Sequence, residues 1–183
     1  MGARENDAMK IAVHTPASIE SLVADPFAGQ HGPLAALAQG ADWRSKIERI
    51  EAAIESDLPA LDLPVKHRFS RGVYARELFI PKGTVLTGKI HKYSQINILM
   101  SGDISVLTEQ GIQRVVPPFV VESPAGTKRI AYAHEDTVWM TICGTNTTDT
   151  AVLEDELTTR TYAEYDAFCA GLLEGSATCH LQT

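Results

Sequence analysis

From about residue 65 to residue 145 the chain is a succession of short β-branched runs, each closed by a turn signal. That pattern restricts the fold more than any other feature of the sequence. VYARELFI (73–80) ends at Pro81-Lys82-Gly83. TVLTGKIH (84–91) and QINILM (95–100) follow, joined by a short turn. Ser101-Gly102-Asp103 turns into ISVLTE (104–109), and Gln110-Gly111 into IQRVV (112–116). FVVES (119–123), KRIAYA (128–133) and TVWMTICGT (137–145) complete the set. About eight such runs predict a sandwich or a barrel.

The flanks read differently. DWRSKIERIEAAIESD (42–57) predicts a helix with Asp42 as N-cap. Trp43, Ile47, Ile50 and Ile54 lie at three- and four-residue steps and form one apolar stripe. Pro59 and Pro64 stop this helix and begin an extended linker. Residues 11–40 read as an irregular arm with at most a short helix at Ala17–Ala24. Beyond the strands, 149–158 reads as a helix capped by Asp149, and Tyr162, Tyr165, Phe168, Cys169 and Leu172 keep helical spacing over 161–173. The last ten residues carry no clear signal. The organisation is an arm and amphipathic helix (1–62), a β-barrel (63–146) and an acidic helical extension (147–183).

Charge follows the same division. Residues 1–62 carry net −5, residues 63–133 net +6 and residues 134–183 net −8. Two readings stand: a basic barrel mouth that attracts an anion, or acidic flanks folded back onto a basic barrel, within one subunit or between two. The acidic balance, with no stacking platform among the basic residues, argues against nucleic acid. No run approaches the roughly 18 apolar residues of a membrane span. The N-terminus lacks the apolar stretch of a secretory signal. Three cysteines with no CxxC spacing suit a reduced, cytoplasmic compartment.

Chemistry concentrates around His91. Period-two alternation puts Lys89 and His91 on one face of their strand. Gln95 opens the next strand, with Tyr93 and Asn97 as further polar neighbours. Such a cluster is costly to bury unless an anion, water or an internal carboxylate such as Glu77 or Glu122 satisfies it. Of the other candidates, His134 sits in a charged loop and reads as solvent-exposed, and His67 reads as a barrel-rim residue. His14, His31 and His180 lie in irregular segments. Cys143, in an apolar strand, reads as core.

Residues 83–102, GTVLTGKIHKYSQINILMSG, resemble the first metal-binding motif of the cupin superfamily, G(X)5HXH(X)3,4E(X)6G. Pro124-Ala125-Gly126 followed by Arg129 resembles the second, PXG(X)2H. The spacing is kept and the ligands are changed: Lys89, His91, Gln95 and Arg129 stand at the His, His, Glu and His positions. The resemblance implies an all-β cupin-type double-stranded β-helix, or jelly roll, with helical N- and C-terminal extensions. It also implies that these four residues face the barrel interior. Ammonium and guanidinium groups repel a divalent cation, so no metal and no cofactor is expected. The strands also resemble small cupin-like proteins of tailed phages and prophages. That implies a fold and a setting rather than a reaction. The expected function is a non-enzymatic structural or interaction module, or a binder of a small anionic ligand. A homodimer or higher homo-oligomer is expected as well, because a single jelly roll exposes sheet edges and the Trp43, Ile47, Ile50 and Ile54 stripe offers an apolar face. Its setting would be the bacterial or infected-host cytoplasm or the virion, with phage structural proteins as further partners. The alternative is a metal-independent sugar-nucleotide epimerase or isomerase with His91 and Tyr93 as base and acid.

Overall fold

The computed structural model describes residues 11–12, 42–57, 60–108 and 111–179. The strand signals become strands. In chain order they are β1 (Ile11–Ala12), β2 (Ala60–Leu61), β3 (Val65–Ser70), β4 (Val73–Ile80), β5 (Val85–Thr87), β6 (Ile90–His91) and β7 (Gln95–Ser101). β8 (Ile104–Thr108), β9 (Gly111–Val115), β10 (Phe119–Ser123), β11 (Ile130–Ala133), β12 (Thr137–Gly144) and β13 (Thr158–Thr159) follow. The helices are α1 (Trp43–Asp57), α2 (Thr150–Leu157) and α3 (Tyr162–Cys179).

Pairing registers define the architecture. Thr108 faces Gly111 in the β8–β9 hairpin. Outward from that turn, Leu99 of β7 faces Phe119 of β10, Thr87 of β5 faces Ile130 of β11, and Ile80 of β4 faces Thr137 of β12. Every pair is centred on the same hairpin. The barrel is therefore one long antiparallel ribbon wound on itself, with its successive pairs shared between two sheets. One sheet runs β10-β7-β12-β4-β3 and the other β5-β11-β8-β9. This is an all-β double-stranded β-helix, with β3 added at the free edge of β4.

Two details differ from the sequence reading. The run at 84–91 breaks into β5 and β6 at Gly88-Lys89, so Lys89 lies between strands. Residues 65–70 form a strand where no strand was expected. Only Val65 is partly covered and the residues after it are all exposed, so this edge strand has no buried face to announce it. The helix suggested at Ala17–Ala24, and His14, His31 and His180, lie outside the described residues.

Each face of the β5-β11-β8-β9 sheet packs against something. Inward, Leu86, Ile104, Val106, Ala131 and Ala133 join Leu78, Ile80 and Leu99 in the barrel core. Outward, Val85, Leu107, Ile130 and Tyr132 receive the α1 stripe, with Ile47 and Ile50 fully buried and Ile54 3% exposed. Removing these three isoleucines from water contributes about 1.5–3 kcal/mol each. The stripe is thus consumed by this subunit's own sheet and is not available for self-association. By contrast, the outer face of the other sheet leaves Ile96, Met100 and Val120 exposed.

The acidic flanks fold back onto the basic barrel within the subunit. Glu51 of α1 pairs with the buried Lys128, Nζ to Oε2 2.5 Å. Glu154 of α2 pairs with Lys89. Arg44 of α1 holds Asp166 of α3 at 2.7 Å, its guanidinium 4.6 Å from the centroid of the Tyr162 ring. Among the described residues no helix is long and apolar enough to cross a membrane.

Candidate functional site

Inside the five-stranded sheet, inward side chains form rows across the strands, and polarity changes between one row and the next. Leu78, Trp139 and Leu99 make an apolar row. One step along the strands, Arg76, Thr141 and Asn97 make a polar one. Beyond it stand Tyr74 and Cys143, with the Cys143 Sγ 3.8 Å from Gln95 Oε1. The barrel therefore has a dry end and a polar end.

Two adjoining cavities occupy the polar end. The inner one, about 110 Å3, is lined by Arg76, Lys89, His91, Gln95, Asn97 and Arg129, over a floor that includes Leu78, Ile80, Leu86 and Ile104. The outer one, about 420 Å3, opens between Leu63, Val65, His67, Tyr74 and the α2 residues Leu153, Glu154 and Leu157. Arg76, Lys89, His91 and Thr141 line both and form the waist between them.

A hydrogen-bonded chain orders the inner cavity. Arg129 Nη1 donates to Ser123 Oγ at 2.7 Å, and Asn97 Nδ2 donates to the same oxygen at 2.8 Å. Asn97 Oδ1 in turn accepts from Thr141 Oγ1 at 2.8 Å and Trp139 Nε1 at 3.1 Å. Burial lowers the basicity of the Arg76 and Arg129 guanidiniums. Burial, then the charges of Arg76 and Arg129, push His91 down from 6.5 to about 4, so its ring is neutral near pH 7. Burial raises the Cys143 thiol to about 11, which makes it an inert core group, as its strand context suggests.

α2 closes the polar end. Asp149 caps it, accepting from Ala151 N at 2.9 Å, and Leu153 and Leu157 pack on Tyr74 and Cys143. Immediately after it, β13 pairs with β6, Thr158 opposite His91. The Lys92 ammonium donates to the Asp155 carbonyl. The Lys89 ammonium lies 2.5 Å from Glu154 Oε1.

All four motif positions, Lys89, His91, Gln95 and Arg129, line the inner cavity. Tyr93 does not: it is 49% exposed and packs edge-on against Phe168 of α3, centroids 5.7 Å apart. Glu77 is not an internal partner but bridges Lys66 and Arg68 on the outer face, and Glu122 is exposed. His134 is half-buried rather than solvent-exposed, its Nε2 2.7 Å from Ser105 Oγ and its ring edge-on to Tyr132. His67 does reach the cavity rim, its Nδ1 2.8 Å from the Tyr74 hydroxyl.

Two residues of this site, Arg76 and Glu154, are not among those the sequence singles out. Arg76 was legible, because Tyr74, Leu78 and Ile80 alternate inward and Arg76 falls in phase with them. Glu154 was not, because nothing local in an acidic helix says which carboxylate will reach across to Lys89.

The donor set does not fit a divalent ion. His91 is the one imidazole of the inner cavity, and Arg76, Lys89 and Arg129 bring positive charge to the same space. Among the described residues no three His, Cys, Asp or Glu side chains cluster as metal ligands. The motif's glycines, by contrast, do their backbone work. Gly102 has φ +98°, and a Cβ there would fall 2.6 Å from the Asp136 carbonyl oxygen. Gly126 has φ +79°, and a Cβ would fall 2.8 Å from the Tyr165 ring. The fold is a cupin-type jelly roll.

Comparison with known proteins finds only distant structural likenesses. The chain is similar to a cupin superfamily protein of Desulfitobacterium hafniense, at 12% identity over 45% of this chain and 77% of that one, TM-score 0.40. It is similar to a cupin domain of Bordetella pertussis at 14% identity over 45% and 93%, TM-score 0.37. It is similar as well to the cupin domain of an XRE-family transcriptional regulator from Enterobacter cloacae, at 10% identity over 45% and 95%, TM-score 0.40. No family model and no curated protein matches the chain. The fold assignment rests on the strand order and register described above.

Proposed function

We propose that the polar end of the barrel binds a small organic anion and that the protein works by binding rather than by catalysis. The observation that carries this reading is the convergence of Arg76, Lys89 and Arg129 around His91 in two adjoining cavities. Like charges gathered in a partly dry space repel one another, and an anion between them turns that cost into charge-assisted hydrogen bonds. A histidine with a pKa of about 4 is poorly matched to general-base work near neutral pH. That weighs against the epimerase reading, as does the position of Tyr93 outside the cavities.

Isothermal titration of acetate and sulfate into wild type and Arg129→Met tests the reading. Binding to the wild type that weakens at least about tenfold in the variant supports it. Equal binding by the two proteins overturns it, as does an absence of binding by these anions and by a longer-chain carboxylate alike.

The phage or prophage setting, as a virion or accessory protein, rests on the sequence resemblance, and neighbouring genes test it: capsid or tail genes support it, and nucleotide-sugar genes favour the epimerase. Self-association stays in the reading with a different surface. The exposed apolar residues Ile96, Met100 and Val120 replace the buried α1 stripe. Light scattering that gave a 19.9 kDa monomer at every concentration would sink that part.

A further inference from the structure

We infer that the ligand is a carboxylate with an apolar body, and that its carboxylate takes the place on Lys89 that Glu154 holds in this structure. This deepens the anion-site reading and rests on it. The first support is that the chain itself sets a carboxylate at the waist. α2 is anchored by Leu153 and Leu157, 3% and 5% exposed, and carries Glu154 to within 2.5 Å of the Lys89 ammonium. The Glu154 side chain is 36% exposed and that of Lys89 18%, so the carboxylate stands on the solvent side of the pair. A ligand arriving through the outer cavity meets this contact first.

The second support is the walls. The cations form a ring with apolar surface on both sides: Leu63, Val65, Leu153 and Leu157 outside, Leu78 and Ile104 inside. Sulfate or phosphate would satisfy the ring and leave those walls in contact with water. A carboxylate on a hydrocarbon body would satisfy the ring and dry the walls. The outer cavity, about 420 Å3, falls within the roughly 300–1,000 Å3 of small-molecule sites, so it has room for such a body. Glu154 then acts as a tethered competitor that keeps Lys89 paired until ligand displaces it.

Isothermal titration with hexanoate, acetate, sulfate and hexanol separates the possibilities. Each buried methylene strengthens binding about fourfold, so hexanoate should bind at least about tenfold tighter than acetate, and hexanol, without a charged head, should not bind. In Glu154→Gln, hexanoate should tighten by about fivefold, the scale of a partly exposed ion pair. In Lys89→Met it should weaken about tenfold. Acetate or sulfate binding as tightly as hexanoate overturns the inference and leaves the anion site standing. So does Glu154→Gln with unchanged or weakened hexanoate binding. If no anion binds any of the proteins, the anion-site reading fails, and this inference with it.

Discussion

The two ends of the barrel are built from the same strands and differ by one row of side chains. At one end Leu78, Trp139 and Leu99 pack into a dry core, with Leu99 1% exposed. One row along, Arg76, Thr141 and Asn97 stand in their place. The difference teaches what each row is for. The first helps hold the two sheets together through apolar contact. The second places a guanidinium and two polar side chains on a cavity that Lys89 and Arg129 also line, an arrangement that costs stability unless something fills the space.

Truncation should separate the ends most sharply. Leu99→Ala leaves a cavity in the barrel core and should cost about 2–5 kcal/mol in denaturant unfolding. A loss below about 1 kcal/mol would mean that the supposedly dry end is loosely filled.

The next effect in size is a dependence on pH confined to the polar end. His91 titrates near 6.5 when unfolded and about 4 when folded, so on acidification the unfolded chain takes up the proton first. The contribution is therefore intact above about pH 6.5, is lost progressively down to about pH 4, and is constant below that. It amounts to roughly 2–3 kcal/mol, partial solvent access included. In His91→Gln that segment of the stability–pH curve should flatten. An unaltered slope between pH 6.5 and 4 would place the titration elsewhere.

Arg129→Met should behave opposite to Leu99→Ala. Without anion, it removes a half-buried charge whose Nη1 donates to a serine hydroxyl, and should raise stability by up to about 1 kcal/mol. Destabilisation by more than about 1 kcal/mol would show that the Ser123–Asn97 chain needs that donor for folding. Smallest of all, Tyr93→Phe removes a hydroxyl outside both cavities. Stability should stay within about 0.5 kcal/mol and anion affinity within about twofold. A larger loss of affinity would bring the His91–Tyr93 pair back into play.

The barrel was readable because its signals are local. Short β-branched runs and turn glycines are written within a few residues of the structure they make. Gly102 and Gly126 sit where a side chain would strike backbone or ring. The motif positions around His91 were readable for the same reason, since fixed spacing on a wound ribbon puts them in one cavity. What stayed hidden depends on distant partners. Glu154 meets Lys89 from another segment of the chain, and Glu51 of α1 meets Lys128 from 77 residues away. Charge blocks in the sequence permitted such pairs without naming them. Arg76 shows a third case: it stood in a legible strand, but a charged residue in phase with Leu78 and Ile80 was not read as part of the interior.

One measurement bears on the central claim most directly: an NMR titration of the His91 ring with and without a saturating organic carboxylate. The account requires a pKa of about 4 in the free protein, set by burial and by Arg76 and Arg129. With anion bound between the cations the value must rise, because the added negative charge favours imidazolium. Affinity for the ionised carboxylate must grow correspondingly as pH falls from 7 to about 5, above the ligand's own titration. A free-protein value near 6.5, unmoved by any carboxylate, would contradict both the closed cationic end and the anion site built on it.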